Sequence, residues 1–198
     1  MPFFRFNWPN RITLARLVAS VALFWLIALF PKDDVPNRPQ AIWTLVLFIL
    51  VAGTDWLDGY LARRLGQVTT FGRILDPFVD KVVVCGAFIM LLRVRPVESV
   101  LETWMVVVIV AREFFVNSMR GFMESRGVNF GAAAPGKIKM LLQCFCVGFL
   151  IGRVAFGNLL GLLDNFNVFL LWATVVATVL SGIYYTHKAF DLIHAADG

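Results

Sequence analysis

The chain has 198 residues, of which 59% are apolar and 16% are charged, and its formal net charge is +5. Soluble domains are about 45–50% apolar and about 25% charged, so a soluble fold of this size could not bury the apolar surface present here. The same composition excludes a disordered chain, a collagen-like repeat and a disulfide scaffold. We therefore expect an integral membrane protein.

The first predicted element is a short aromatic and basic segment, MPFFRFNWPN, which continues into the first apolar run. No small-residue cleavage site follows that run, so a signal peptide is not predicted. Aromatic residues that alternate with Arg5 and Arg11 are typical of a segment lying at the membrane interface.

Six apolar runs follow, each close to the ~20 residues that a helix needs to cross the hydrocarbon core. The turn PKDDVPNRPQ separates the first two runs, and the segment ESRGVNFGAAAPGK separates the fourth from the fifth. No repeat or soluble appendage interrupts this pattern. The sequence thus predicts one all-α membrane domain over 1–198 with six transmembrane helices. The runs lie at about 12–31, 40–65, 73–93, 102–123, 137–157 and 166–188.

Basic residues are distributed unevenly between the two ends of these runs. If the N-terminus is cytoplasmic, thirteen of the eighteen Lys and Arg residues lie at inner ends, and the inner side carries the whole net charge of +5. This asymmetry predicts that both termini are cytoplasmic. A basic inner face also favours anionic lipids and phosphorylated substrates over nucleic acid as partners.

Charged residues cluster near the inner end of the second run. At about 100° per residue on a helix, Asp55 and Asp58 lie at one edge of a polar arc and Arg63 lies at the other. Gly59 and Ala62 leave space between these edges. Ordinary loop charges would show no such spacing, so we interpret the arc as a binding surface.

The third run adds a second acidic stripe. Gly72, Asp76 and Asp80 are each four residues apart, and a short loop to the second run would bring the two acidic edges together. Four carboxylates in one cavity need compensating cations. Two Mg²⁺ or Mn²⁺ ions fit an all-oxygen site without His or Cys and are suited to phosphate-ester displacement. A divalent-cation transporter is the alternative from another class, although it leaves the neighbouring glycine, alanine and arginine unexplained.

These residues match every fixed position of D-x₂-D-G-x₂-A-R-x₈-G-x₃-D-x₃-D, the signature of the CDP-alcohol phosphatidyltransferase family. The chain resembles that family over essentially its whole length. The resemblance implies a cytosol-facing site for CDP-diacylglycerol and two divalent metals, where an acceptor hydroxyl attacks the lipid-side phosphorus and CMP leaves. It also implies a homodimer in a membrane that we expect to be the bacterial cytoplasmic membrane.

The resemblance further assigns roles to individual residues. Asp55, Asp58, Asp76 and Asp80 would be the metal ligands, and Asp80 would also be the catalytic base. Arg63 would clamp the phosphates of the nucleotide. For Asn10 and Thr13, an ordinary helix N-terminus is an equally good interpretation. The CDP-diacylglycerol site would include Asn10, Thr13, Gly59, Ala62, Arg63, Thr69 and Gly72.

The second half of the chain bears on the acceptor. The segments AREFFVNSMRGFMESRG and APGKIKMLLQ resemble the phosphatidylglycerophosphate synthase branch, whose acceptor is glycerol 3-phosphate. Glu113 could pair with an arginine or be a partly solvated helix charge. The arginines and lysines of these segments could instead be part of the positive-inside signal. An inositol-phosphate acceptor and a cardiolipin synthase stay open as alternatives. The predicted acceptor-phosphate residues are Arg112, Arg120, Lys137 and Lys139.

Three aromatic residues near the end of the last run, Tyr184, Tyr185 and His187, are predicted to anchor that helix at the membrane interface.

Overall fold

A computed structural model describes the backbone of residues 8–31, 34, 36–65, 70–128, 130–131, 133–157 and 164–197. It describes the side chains of residues 11–31, 34, 36–54, 75–128, 130–131, 133–157 and 165–194. Within these ranges the secondary structure consists of α-helices and one short 3₁₀ turn at Val97–Ser99. The prediction of an all-α chain is confirmed for the part described.

Each of the six predicted runs forms one α-helix in the described chain. Three of these helices contain stretches long and apolar enough to cross a membrane, namely Arg11–Ala28, Ala134–Phe156 and Asn165–His194. This supports a membrane protein, whereas six spans and two cytoplasmic termini remain predictions. The helices are α1 (Trp8–Ala28), α2 (Arg38–Leu65), α3 (Thr70–Leu91), α4 (Thr103–Ser125), α5 (Ala134–Phe156) and α6 (Asp164–Asp197).

The first helix begins earlier than the first apolar run. Because α1 starts at Trp8, the residues from Trp8 to Arg11 belong to the helix, and the rest of the predicted interfacial segment lies outside the described residues. Asn10 and Thr13 therefore lie within the first two turns of α1. The role of these two residues in the nucleotide site stays a prediction.

Proline and glycine mark two of the helix boundaries. Pro39 lies in the first turn of α2, where its missing N–H removes no bond within the helix. At the end of α4, Gly127 has a φ of +76°, and the N–H of Val128 donates to the Met123 carbonyl at 3.0 Å. This left-handed glycine closes the helix with a Schellman motif, which glycine adopts without the steric cost of a Cβ atom.

The described chain divides into two compact units. The first contains α1, α2, α3 and the end of α5 from Val147, and α1 packs against both α2 and α3. Leu23 and Phe88 are completely buried in this unit. The ring of Phe24 occupies the position that a side chain at Gly86 would take, so α1 and α3 approach closely there.

The second unit contains α4, the first part of α5 to Cys146, and α6, with α4 packed against α6. Trp104 and Trp172 pack with their ring centroids 5.7 Å apart. The prediction that the whole chain forms one domain stays a prediction. A buried cluster of mostly apolar side chains consists of Val116, Met123, Phe130, Tyr185 and Ala189.

Candidate active site

Much of the predicted nucleotide site lies outside the side chains that the structure describes. The backbone of the first half of the signature, from Asp55 to Arg63, continues α2, and Gly72 lies near the start of α3. Thr69 lies outside the described residues altogether. The predicted residues that lie on the described backbone but outside the described side chains are Asn10, Asp55, Asp58, Gly59, Ala62, Arg63 and Gly72.

The second half of the signature is described, and α1 contacts both of its carboxylates. The Thr13 hydroxyl donates a hydrogen bond of 2.6 Å to Oδ1 of Asp76. Nη2 of Arg16 donates to Oδ1 of Asp80, also at 2.6 Å. Thr13 and Arg16 are three residues apart on α1, and Asp76 and Asp80 are four apart on α3. Each pair therefore spans about one helical turn, so that each donor faces the carboxylate at the same height along the helices.

These contacts lie in a mostly buried part of the first unit. Thr13 and Arg16 are buried, and the Asp80 side chain retains 20% exposure. A buried arginine that meets a carboxylate at this distance forms a charge-assisted hydrogen bond, which is stronger than a neutral one. Arg16 and Thr13 therefore restrict the orientation of the two acids.

The donor chemistry of Asp76 and Asp80 fits a hard divalent cation. Both offer carboxylate oxygens from one face of α3, and Mg²⁺ and Mn²⁺ prefer such ligands. Among the described side chains, no cluster of three or more His, Cys, Asp or Glu residues is close enough together to hold a metal. The two α2 aspartates that would complete the predicted set lie outside those side chains.

In the second unit, one carboxylate oxygen accepts three hydrogen bonds. Oε1 of Glu113 accepts from Nη1 of Arg112 at 3.1 Å, from Nζ of Lys139, and from Nε2 of Gln143 at 3.5 Å. Gln143 also donates to the Thr178 hydroxyl at 3.3 Å and accepts from Lys139 at 3.2 Å. The network thus connects α4, α5 and α6, and it confirms that Glu113 pairs with an arginine.

The four predicted acceptor-phosphate residues differ in their surroundings. Arg112 and Lys139 belong to the buried network, and the Lys139 side chain is only 8% exposed. Arg120 is half-buried, with a buried Nε atom that has no hydrogen-bond partner in the described part of the chain. Lys137 is exposed. The structure therefore brings Arg112 and Lys139 together around Glu113.

The guanidinium group of Arg112 has two edges with different contacts. Its Nη1 atom bonds to Glu113, whereas its Nε and Nη2 atoms are buried and have no hydrogen-bond partner among the described residues. These two N–H groups form the side-on fork that binds a carboxylate or phosphate through two parallel hydrogen bonds. A buried unsatisfied donor is costly, so this edge is suited to an oxyanion ligand.

The sequence interpretation missed Tyr185. It was predicted at the membrane interface with Tyr184, but it is 1% exposed, whereas Tyr184 is 44% exposed. Neighbouring residues on a helix point about 100° apart, so only one of the two tyrosines can face α4. The signal that could have found it is a polar stripe with spacings of four, three and four residues, all of it buried: Thr174, Thr178, Ser181 and Tyr185.

Comparison with known proteins gives consistent matches. The family model for CDP-alcohol phosphatidyltransferase matches residues 6–180. A Bacillus subtilis relative named CDP-diacylglycerol–glycerol-3-phosphate 3-phosphatidyltransferase is 37% identical over 97% of this chain and 100% of its own length. Relatives with the same name in Rickettsia bellii (32% identical, 90% of this chain and 93% of theirs) and Haemophilus influenzae (30%, 93% and 94%) are also similar.

Proposed function

The chain belongs to the CDP-alcohol phosphatidyltransferase family, and from that membership we propose that it transfers the phosphatidyl group of CDP-diacylglycerol to glycerol 3-phosphate. The products are phosphatidylglycerophosphate and CMP, so the enzyme acts in phospholipid biosynthesis. Three relatives named for this reaction align with at least 90% of the chain. The structural observation that carries the acceptor assignment is the buried edge of Arg112, which has no hydrogen-bond partner in the described part of the chain.

The chemistry requires a base and a means of balancing negative charge. The acceptor oxygen bonds to the phosphorus that bears diacylglycerol, the anhydride bond to CMP breaks, and the hydroxyl proton passes to a base. We assign that base to Asp80, because a carboxylate held by Arg16 has a defined orientation. Two Mg²⁺ or Mn²⁺ ions, bound by Asp55, Asp58, Asp76 and Asp80, would stabilise the charge on the entering and leaving oxygens.

The nucleotide site is proposed in the first unit. Gly59, Ala62 and Gly72 would give the nucleotide access, Arg63 would bind its phosphates, and Asn10 and Thr69 would add contacts. Thr13 would act at this site through the carboxylate of Asp76, to which its hydroxyl donates. Its effect is therefore on the position of the acid.

The acceptor phosphate is assigned to the cations of the second unit. Arg112 and Lys139 carry two positive charges against the single negative charge of Glu113. We assign the direct contact to Arg112, whose Nε and Nη2 atoms match two phosphate oxygens. Arg120 and Lys137 would add charge, and Lys139 would act while bound to Glu113. An acceptor without an anionic group would leave the buried edge of Arg112 unsatisfied.

We propose further that the enzyme crosses a bacterial cytoplasmic membrane six times, with both termini and its active site on the cytoplasmic side. Three apolar helices and the uneven distribution of Lys and Arg support this topology. Large apolar side chains exposed on the helices, such as Trp25, Trp43 and Phe169, suit a lipid environment. The homodimer stays a proposal that rests on the family resemblance.

The test is product identification with purified full-length protein in mixed micelles of detergent and CDP-diacylglycerol. Labelled glycerol 3-phosphate, inositol phosphate, phosphatidylglycerol and serine are offered separately with Mg²⁺ or Mn²⁺, and the lipid product is identified by mass spectrometry. We expect phosphatidylglycerophosphate and CMP from glycerol 3-phosphate alone, and complete loss of product with a chelator.

Two results would contradict the proposal. Turnover of inositol phosphate or phosphatidylglycerol in place of glycerol 3-phosphate would identify one of the alternative synthases. No turnover, together with divalent-cation flux in liposomes that lack CDP-lipid, would identify a transporter.

A further inference from the structure

Tyr185 is the largest of the fully buried side chains in the described chain, and it lies against Arg112. The centre of its ring is 5.6 Å from Cζ of Arg112, within the distance at which a guanidinium is attracted to an aromatic face. The ring of Phe130 packs against the Tyr185 ring with their centroids 5.6 Å apart. The aromatic surface beside Arg112 is therefore held in place.

The other end of Tyr185 holds the start of α5. Its hydroxyl oxygen accepts a hydrogen bond of 2.8 Å from the backbone N–H of Ala133, the residue before the helix. A Cβ atom at Gly136 would lie 2.7 Å from this oxygen, so the glycine makes room for the hydroxyl. Tyr185 thus links Arg112 on α4 to the segment from which Lys137 and Lys139 extend.

Arg112 is restrained on several sides at once. Glu113 binds its Nη1 atom, the ring of Tyr185 lies beside its guanidinium, and a Cβ atom at Gly182 would lie 3.3 Å from its Cγ atom. The two donors that have no hydrogen-bond partner among the described side chains, Nε and Nη2, then have a restricted direction. Such preorganisation reduces the entropy lost when a ligand binds.

We propose that Tyr185 is a positioning residue for the acceptor phosphate. Its ring orients the guanidinium of Arg112, and its hydroxyl fixes the start of α5, so that the phosphate of glycerol 3-phosphate meets a preformed pair of donors. This inference rests on the proposed function. It adds a residue of α6 that is neither a cation nor part of the family signature.

The experiment measures steady-state kinetics of full-length variants in mixed micelles. Y185F keeps the ring and removes the hydroxyl, and we expect the KM for glycerol 3-phosphate to rise about fivefold, the size of one lost hydrogen bond. Y185L also removes the aromatic face, and we expect a rise of about 30-fold. The KM for CDP-diacylglycerol should stay within about twofold in both variants, because only the acceptor phosphate is affected.

Two further variants act as controls. Y184F alters the exposed neighbouring tyrosine and should keep the kinetic constants of the wild type. G136A pushes on the Tyr185 hydroxyl from the side of α5 and should raise the KM for glycerol 3-phosphate about threefold. It retains Tyr185, so it tests the inference even if Y185F and Y185L do not fold.

Sulfate supplies a second measurement, since it is a dianion without an acceptor hydroxyl. Its inhibition constant should rise in parallel with the KM for glycerol 3-phosphate. Equal changes in both KM values, or a loss of kcat and thermal stability at unchanged KM, would assign Tyr185 a purely structural role and overturn the inference alone. A wild-type enzyme that does not use glycerol 3-phosphate would overturn the proposed function and the inference with it.

Discussion

The two units hold their charged side chains in opposite ways. In the first unit two carboxylates each receive a donor of their own from α1, Thr13 for Asp76 and Arg16 for Asp80. In the second unit a single oxygen of Glu113 is shared by donors from Arg112, Lys139 and Gln143. The first unit thus presents two carboxylates that α1 contacts one turn apart, and the second presents two cations that share one carboxylate oxygen.

The difference has an energetic consequence. Groups with separate partners respond separately to mutation, whereas groups in one network are coupled by about 0.5–3 kcal/mol. Removing Glu113 would also leave two cations without their common partner, and breaking a buried ion pair in this way costs about 3–5 kcal/mol. The network around Glu113 in the second unit is therefore expected to respond to mutation as a whole.

The largest effect is expected from removing one acid of the first unit. The Asp80→Asn variant keeps the size of the side chain but loses the charge and the proton acceptor, so kcat should fall by at least about 1,000-fold. The measurement is phosphatidylglycerophosphate formation under saturating substrates, together with the thermal unfolding midpoint in detergent. Asp191→Asn, at an exposed position on α6, is the matched control. Turnover of purified Asp80→Asn near that of the wild type would remove Asp80 from the mechanism.

A smaller and more selective effect is expected in the second unit. Arg112→Ala should raise the KM for glycerol 3-phosphate by about 50-fold, the range of a lost hydrogen-bonded charge, and change the KM for CDP-diacylglycerol little. Arg112→Lys keeps the charge but lacks the planar fork, so it should raise the KM for glycerol 3-phosphate nearly as much.

Arg126→Ala is the matched control for Arg112, because Arg126 is an exposed arginine at the end of α4. It should behave as the wild type does. If Arg112→Lys restored the wild-type KM, the phosphate would be bound by charge alone, and the side-on edge of Arg112 would have no role.

The smallest expected effect is on the coupling between neighbouring residues, and it tests whether the two units hold their charged side chains differently. Two double-mutant cycles on the free energy of unfolding pair Thr13→Val with Arg16→Lys, and Lys139→Met with Gln143→Leu. The second pair should depart from additivity by about 1 kcal/mol or more, because Lys139 and Gln143 both donate to Glu113. The first pair should depart by less, because Thr13 and Arg16 donate to different carboxylates. Similar coupling in both units would show that the acids and the cations are not held differently.

Much of the fold could be read from local pattern. Each of the six apolar runs forms one helix in the described chain, because a run of about 20 apolar residues is long enough for a helix that is buried or lies in lipid. The start of α1 was predicted less closely, since the apolar run begins at about residue 12 and the helix begins at Trp8. Helix boundaries depend on capping and packing, which act over only a few residues.

The candidate site was predictable to a different degree in each unit. The spacing of Asp76 and Asp80 follows from helix periodicity, so their shared face on α3 could be expected. Arg16 as the partner of Asp80 could not, because the two residues are 64 positions apart and only packing brings them together. Tyr185 was assigned to the membrane interface because a tyrosine fits both a lipid boundary and a buried contact, and only packing decides between the two.

The sequence alone determined the helical class, the oxygen-rich signature and the excess of positive charge, because these depend on residue type and on spacing along one helix. Tertiary structure decided which partner each charge has: Thr13 and Arg16 for the acids, and Glu113 for Arg112 and Lys139. The physical reason is that a buried charge is stabilised by the atoms within hydrogen-bonding distance, and the packing of different helices brings those atoms together.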